Sequence, residues 1–119
     1  MFELIGKVES TFLGIEDHGI LTATVYFNFG GTAQGIEAIV LHVPGKPVDH
    51  AGSFIVGLLQ AFGVNNWNEV KGRTVWVQKE DEWGFITGIR PLEPEPGTPF
   101  VIKEWQDRVT KEDLDRKLP

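Results

Sequence analysis

Two acid–imidazole pairs stand in loop-like stretches of this chain. Asp17-His18 lies within EDHG at 16–19, and Asp49-His50 within VDHAG at 48–52. Carboxylate and imidazole together can hold a divalent cation such as Zn²⁺ or Mn²⁺, and they can move protons. If the two loops meet at one end of a sheet, Asp17, His18, Asp49 and His50 converge. A metal held there would lower the pKa of a bound water and support hydrolysis. The same residues also have a plainer use. Asp at a turn start bonds the backbone two residues on, and Gly19 accepts the left-handed conformation that re-enters a strand. The spacing matches no HExxH, P-loop, GxSxG or zinc-deaminase pattern. The remaining histidine, His42, alternates with Leu41 and Val43 and faces out of a strand or sits at its rim.

Aromatic residues are the second chemical candidate. Tyr26 and Trp76 fall on the parity opposite their strands' apolar sets, where a ring can stack a base or a purine-like ligand. Lys71, Arg73 and Lys79 are close to Trp76 in sequence and could meet a phosphate. The competing reading is packing, because aromatic rings supply much of the buried area of a small core. Trp83, in EWGF, then covers the end of a hairpin. Gly30-Gly31, Gly35, Gly84 and Gly88 mark turns and bends. GGTAQG lacks the following helix that a dinucleotide site needs.

The positioning elements are readable from periodicity. Residues 2–13 alternate, with Phe2, Leu4, Val8 and Phe12 on one parity and Glu3, Lys7, Glu9 and Thr11 on the other. Residues 20–29 alternate more cleanly: Leu21, Ala23, Val25, Phe27 and Phe29 oppose Thr22, Thr24, Tyr26 and Asn28. Residues 34–43 form a third strand after the Gly30-Gly31 turn. Pro44 and Pro47 break the sheet. A helix over about 53–63 follows, with Ser53 as N-cap and Gly63 as C-cap. A helical turn around Trp67 and two further strands, 73–79 and 83–89, complete the domain. The fold class is mainly β, of α+β type. Five antiparallel strands run in the order β-β-β-α-β-β, as an OB-like small barrel or a curled sheet with one helix. That domain covers 1–92. Residues 93–119 are a Pro-rich exit segment and tail, with a capping box at Thr110 and Asp113 that starts a short helix. Phe100, Ile102 and Trp105 either pin the tail to the domain or join a second copy in a homo-oligomer.

Charge narrows the partners. Net charge is −6; residues 1–99 carry twelve acids and six bases, and residues 100–119 carry five of each. An acidic domain is poorly suited to binding nucleic acid in general, which needs a basic face. No apolar run is long enough to span a membrane. The absence of cysteine excludes disulfides and thiolate chemistry, and with a start unlike a signal peptide it points to the cytoplasm.

Three stretches together resemble a group of short, uncharacterised phage and prophage proteins. They are LGIEDHGILTA at 13–23, the GG and QG pairs at 30–31 and 34–35, and FGVNNWNEVKGRTVWV at 62–77. The likeness spans about residues 6 to 92. The chain departs from the pattern after Gln34-Gly35, where it has Ile36-Glu37-Ala38-Ile39. The resemblance implies an accessory protein in a bacterial cytoplasm and carries no activity. The leading expectation is a non-enzymatic protein that contacts a small ligand or protein partner, with no resident cofactor. Its ligand-binding candidates are Glu16, Asp17, His18, Gln34, Asp49 and His50. The alternatives are a metal-assisted hydrolase built on Asp17, His18, Asp49 and His50, an OB-type single-stranded nucleic-acid binder, and a virion structural component.

Overall fold

In a computed structural model, residues 2–15, 19, 21–42, 51–93 and 97–116 are described, with the backbone alone for 37–42, 51 and 112–116. Six strands form: β1 Phe2–Ile15, β2 Leu21–Asn28, β3 Ala33–His42, β4 Thr74–Lys79, β5 Ile86–Pro91 and β6 Phe100–Val101. The helices are α1, Ala51–Phe62, and α2, Ile102–Arg116, with a 3-10 turn at Trp67–Glu69. The sheet order is β3-β2-β1-β4-β5-β6, antiparallel throughout.

The mainly β class and the β-β-β-α-β-β order hold. The count of five strands and one helix does not. A sixth strand pairs with β5 at Gly88 and Ile89, next to Val101 and Phe100. A Cβ at Gly88 would lie 3.1 Å from the Phe100 carbonyl oxygen, so the bare backbone there admits the close approach. The sheet is open: β3 and β6 are its edges, and no ladder joins them among the described residues. It nevertheless curls. The Gln34 side chain in β3 donates to the Gly84 carbonyl, beyond β4, at 3.3 Å.

β1 explains the curl. Its first half, Phe2 to Lys7, pairs with β4, and Lys7 to Ile15 pairs with β2. A Cβ on Gly6 would sit 2.8 Å from the Phe29 ring, 3.0 Å from Val77 and 3.1 Å from the Phe27 ring. The core reaches the strand only because Gly6 has no side chain. A bulge between Val8 and Ser10 then shifts the register by one residue. One extra residue reverses which face each later side chain takes. Phe12 was expected on Val8's parity. It pairs instead with Thr24 on the outer face and is 44% exposed.

α1 buries Phe54, Leu58, Ala61 and Phe62 on one stripe. It begins at Ala51, three residues before the first helical position that a Ser53 cap sets. Ser53 lies inside the helix, and its hydroxyl accepts a hydrogen bond from Trp105 Nε1 at 2.8 Å. The C-cap is as expected: Gly63 has φ +68°, Gly63 N–H bonds Gln60 O, and Val64 N–H bonds Leu59 O. This is a Schellman motif. α2 starts eight residues before Thr110, because Ile102, Trp105 and Val109 already form a buried stripe. Phe100, Ile102 and Trp105 therefore pack in this chain's own core rather than forming an open handle. Phe54 meets the Phe100 ring at 5.8 Å and Trp105 at 5.0 Å.

Phe54 thus joins both helices and β6. Phe54→Ala is expected to lower unfolding free energy in urea by about 3–5 kcal/mol. A loss below about 1 kcal/mol would show that these three elements do not share one core.

Candidate functional site

The β4–β5 connection, residues 80–85, presents the most exposed large aromatics of the described chain. Trp83 is 89% and Phe85 84% exposed. The sequence predicts a strand over 83–89, but β5 begins only at Ile86. Asp81 is the reason. Its Oδ1 accepts Trp83 N–H at 2.9 Å, and its carbonyl accepts Gly84 N–H at 3.2 Å. Those bonds commit the backbone to a turn instead of a ladder.

Two side-chain donors, one local and one distant in sequence, brace the same turn. Lys79 has its stem buried, at 7% exposure, opposite Phe2 on the core face, and its Nζ donates to Glu82 O at 2.9 Å. Gln34 Nε2 donates to Gly84 O. Every residue from Asp81 to Gly84 therefore takes part in a hydrogen bond that fixes the tip. Glu80, Asp81 and Glu82 surround the aromatics with exposed carboxylates. Glu80 also meets Lys103 of α2 at 3.4 Å, an exposed pair of small energetic weight.

A second cluster lies on the outer face of β1, β4 and β5. Arg90 Nε and Nη2 bond the two oxygens of Glu3 at 2.9 Å each, and Gln78 Nε2 bonds Glu3 Oε1 at 2.9 Å. The Arg90 guanidinium also lies 5.1 Å from the Trp76 ring centre. Hydrogen bonds from Arg90, then Gln78, hold the Glu3 carboxyl down at about 2. Glu3 in turn raises Arg90 above its ordinary value. Beside this cluster opens a shallow cleft of about 870 Å³, with Ile5, Val8 and Phe29 in its lining and Lys7, Lys71 and Glu9 at its rim.

The sequence-based candidates are distributed unevenly over this geometry. Glu16, Asp17, His18, Asp49 and His50 lie outside the described residues. Among the described residues, no group of three or more His, Cys, Asp or Glu could hold a metal ion. Gln34 serves as a brace for the tip. Tyr26 is on the outer face as expected, with its ring against Gly35. Trp76 is also on that face, under Arg90. The sequence reading sets Trp83 as a cover for the hairpin end and gives Phe85 no role, whereas both rings are exposed; EDEWGF carries the signal, since three acids hold the segment in water and the aromatics follow at once. Among the described residues, no helix is long and apolar enough to cross a membrane.

In comparisons with known proteins, no family model matches the chain, and no curated protein and no solved structure is similar to it.

Two outcomes test the geometry. The folded Glu3 pKa is depressed, so the stability it adds is present above about pH 4.5 and is lost as pH falls toward 2. Urea midpoints measured from pH 6 to 2 should fall less steeply in Glu3→Gln than in the wild type; parallel curves would exclude the pair as an acid-sensitive contact. Lys79→Met keeps the buried stem and removes the donor to Glu82. Amide exchange at Trp83 and Gly84 should speed up several-fold, while β4 protection changes little.

Proposed function

We propose that this chain is a non-enzymatic binding protein whose working part is the β4–β5 tip, seating Trp83 and Phe85 in an apolar recess of a protein partner. The observation that carries this reading is that the two most exposed aromatics stand on a tightly braced turn. Each ring can bury about 150–250 Å². Tryptophan is enriched among residues that dominate binding energy, typically with truncation costs of about 2 kcal/mol or more. The bracing by Asp81, Lys79 and Gln34 supports the reading, because a fixed turn loses little freedom when it docks. The carboxylates of Glu80, Asp81 and Glu82 favour a recess with a basic rim. They also disfavour a polyanion as the partner. The resemblance to phage and prophage accessory proteins supports a bacterial cytoplasm as the setting.

The test is in-cell crosslinking from a photo-reactive aromatic residue placed at position 83. A protein adduct is expected from position 83 and none from position 56, where Val56 is half exposed on α1. No adduct, or the same adducts from both positions, would remove the tip from the binding surface. Trp83→Ala should change unfolding free energy by no more than about 0.5 kcal/mol, since the ring packs on little. A larger loss in urea melts would give the ring a structural role.

A further inference from the structure

The partner's chemistry can be compared with this chain's own surface. The tip asks for an apolar recess with basic groups around it. The cleft beside β1 offers Ile5 and Phe29 as apolar lining and has Lys7, Lys71 and Glu9 at its rim, two bases against one acid. Neither lysine pairs with an acid among the described residues. The cleft is shallow, with a volume of about 870 Å³, so two rings can lie against it without being enclosed. The bulge after Val8 is part of this opening, where Gly72 N–H bonds Val8 O at 2.9 Å across from it. Within one chain the two surfaces do not meet, since Trp83 stays 89% exposed. In register, the cleft flanks the Thr74 end of β4 and the tip follows its Lys79 end.

We propose that the tip of one copy docks in the Lys7–Lys71 cleft of a second copy, giving head-to-tail self-association. This rests on the tip being the binding surface, and it names the partner. Each copy carries −6, so most encounters between copies are repulsive. Tip against cleft is an orientation that sets Glu80, Asp81 and Glu82 against a rim in which two bases, Lys7 and Lys71, outnumber one acid, Glu9. The joined surfaces differ, so the contact is heterologous. Each copy keeps a free tip or a free cleft, and association continues until a ring closes or the chain of copies ends. Two rings bury roughly 300–500 Å² on the tip side, below the ~800 Å² per partner of a standard interface. The association is therefore weak and grows with concentration.

Analytical ultracentrifugation of the full chain, from about 5 to about 500 µM, tests this against two variants. Trp83→Ala with Phe85→Ala removes the tip. Lys7→Glu with Lys71→Glu reverses the cleft. All four positions are solvent-exposed, and far-UV circular dichroism checks that both variants fold. The wild type should sediment faster as concentration rises, and each variant alone should stay monomeric. An equimolar mixture of the two variants should form a one-to-one dimer that does not grow, because only one intact tip and one intact cleft remain. A wild type that stays monomeric at every concentration would overturn the proposal. So would association that survives either variant, or a mixture that fails to dimerise. If the wild type is monomeric while position 83 still crosslinks to a different protein in cells, the tip stands as a binding surface and the second copy is excluded as its partner. If neither is seen, both readings fall.

Discussion

The close approach of three side chains over Gly6 is the constraint on which the architecture rests. β1 is shared between two strands that diverge, β4 along its first half and β2 along its second. A strand can serve both only if it bends. The inside of that bend is crowded by Phe27, Phe29 and Val77, all within 3.1 Å of where a Cβ would stand. Any side chain at Gly6 would push the rings apart or flatten the strand. With Gly6, the sheet wraps far enough for Gln34 on one edge strand to reach the carbonyl of Gly84 beyond β4. The brace of the exposed tip is thus a distant result of a residue without a side chain.

Local periodicity disclosed much of this. The β2 alternation predicts most of its exposure pattern: Ala23, Val25 and Phe27 are buried and Tyr26 is not, although Thr24, on Tyr26's parity, is buried as well. The Gly63 cap was legible because a Schellman motif is built from neighbouring residues. The errors have a common physical form, in which a contact distant in sequence overrides a local preference. Ser53 reads as a cap because nothing nearby announces that Trp105, 52 residues on, needs an acceptor. Phe12 reads as core because an alternating pattern does not show a bulge. Trp83 falls within the strand expected over 83–89, although Asp81 has already turned the chain. The acid–imidazole loops at 16–18 and 49–50 lie outside the described residues.

Lys79 and the Glu3–Arg90 pair, on the same sheet, show how burial decides the role of a charged group. Lys79 takes its stem through the core and presents only its amine, bonded to a backbone carbonyl. Its four-carbon stem supplies apolar packing, and its head shapes the tip. Glu3 and Arg90 sit on the open face, with two bonds between them and the Trp76 ring beneath the guanidinium. Arg90 therefore occupies a ring that the sequence offered for stacking a ligand.

The pairing of Phe2 with Lys79 has a consequence for how the chain assembles. β1 and β2 are joined through partners as near as Ile15 and Leu21, and β3 follows within a few residues. This three-stranded unit can form from local contacts. The first half of β1 has no strand beside it until β4 has been made, more than seventy residues later. During synthesis, its unpaired edge and the apolar residues behind it wait for the ribosome to supply their cover. Loop closure over that separation makes the β1–β4 ladder the slow, non-local step of folding, and the nascent three-stranded sheet is the stage at which the chain is most open to edge-to-edge association.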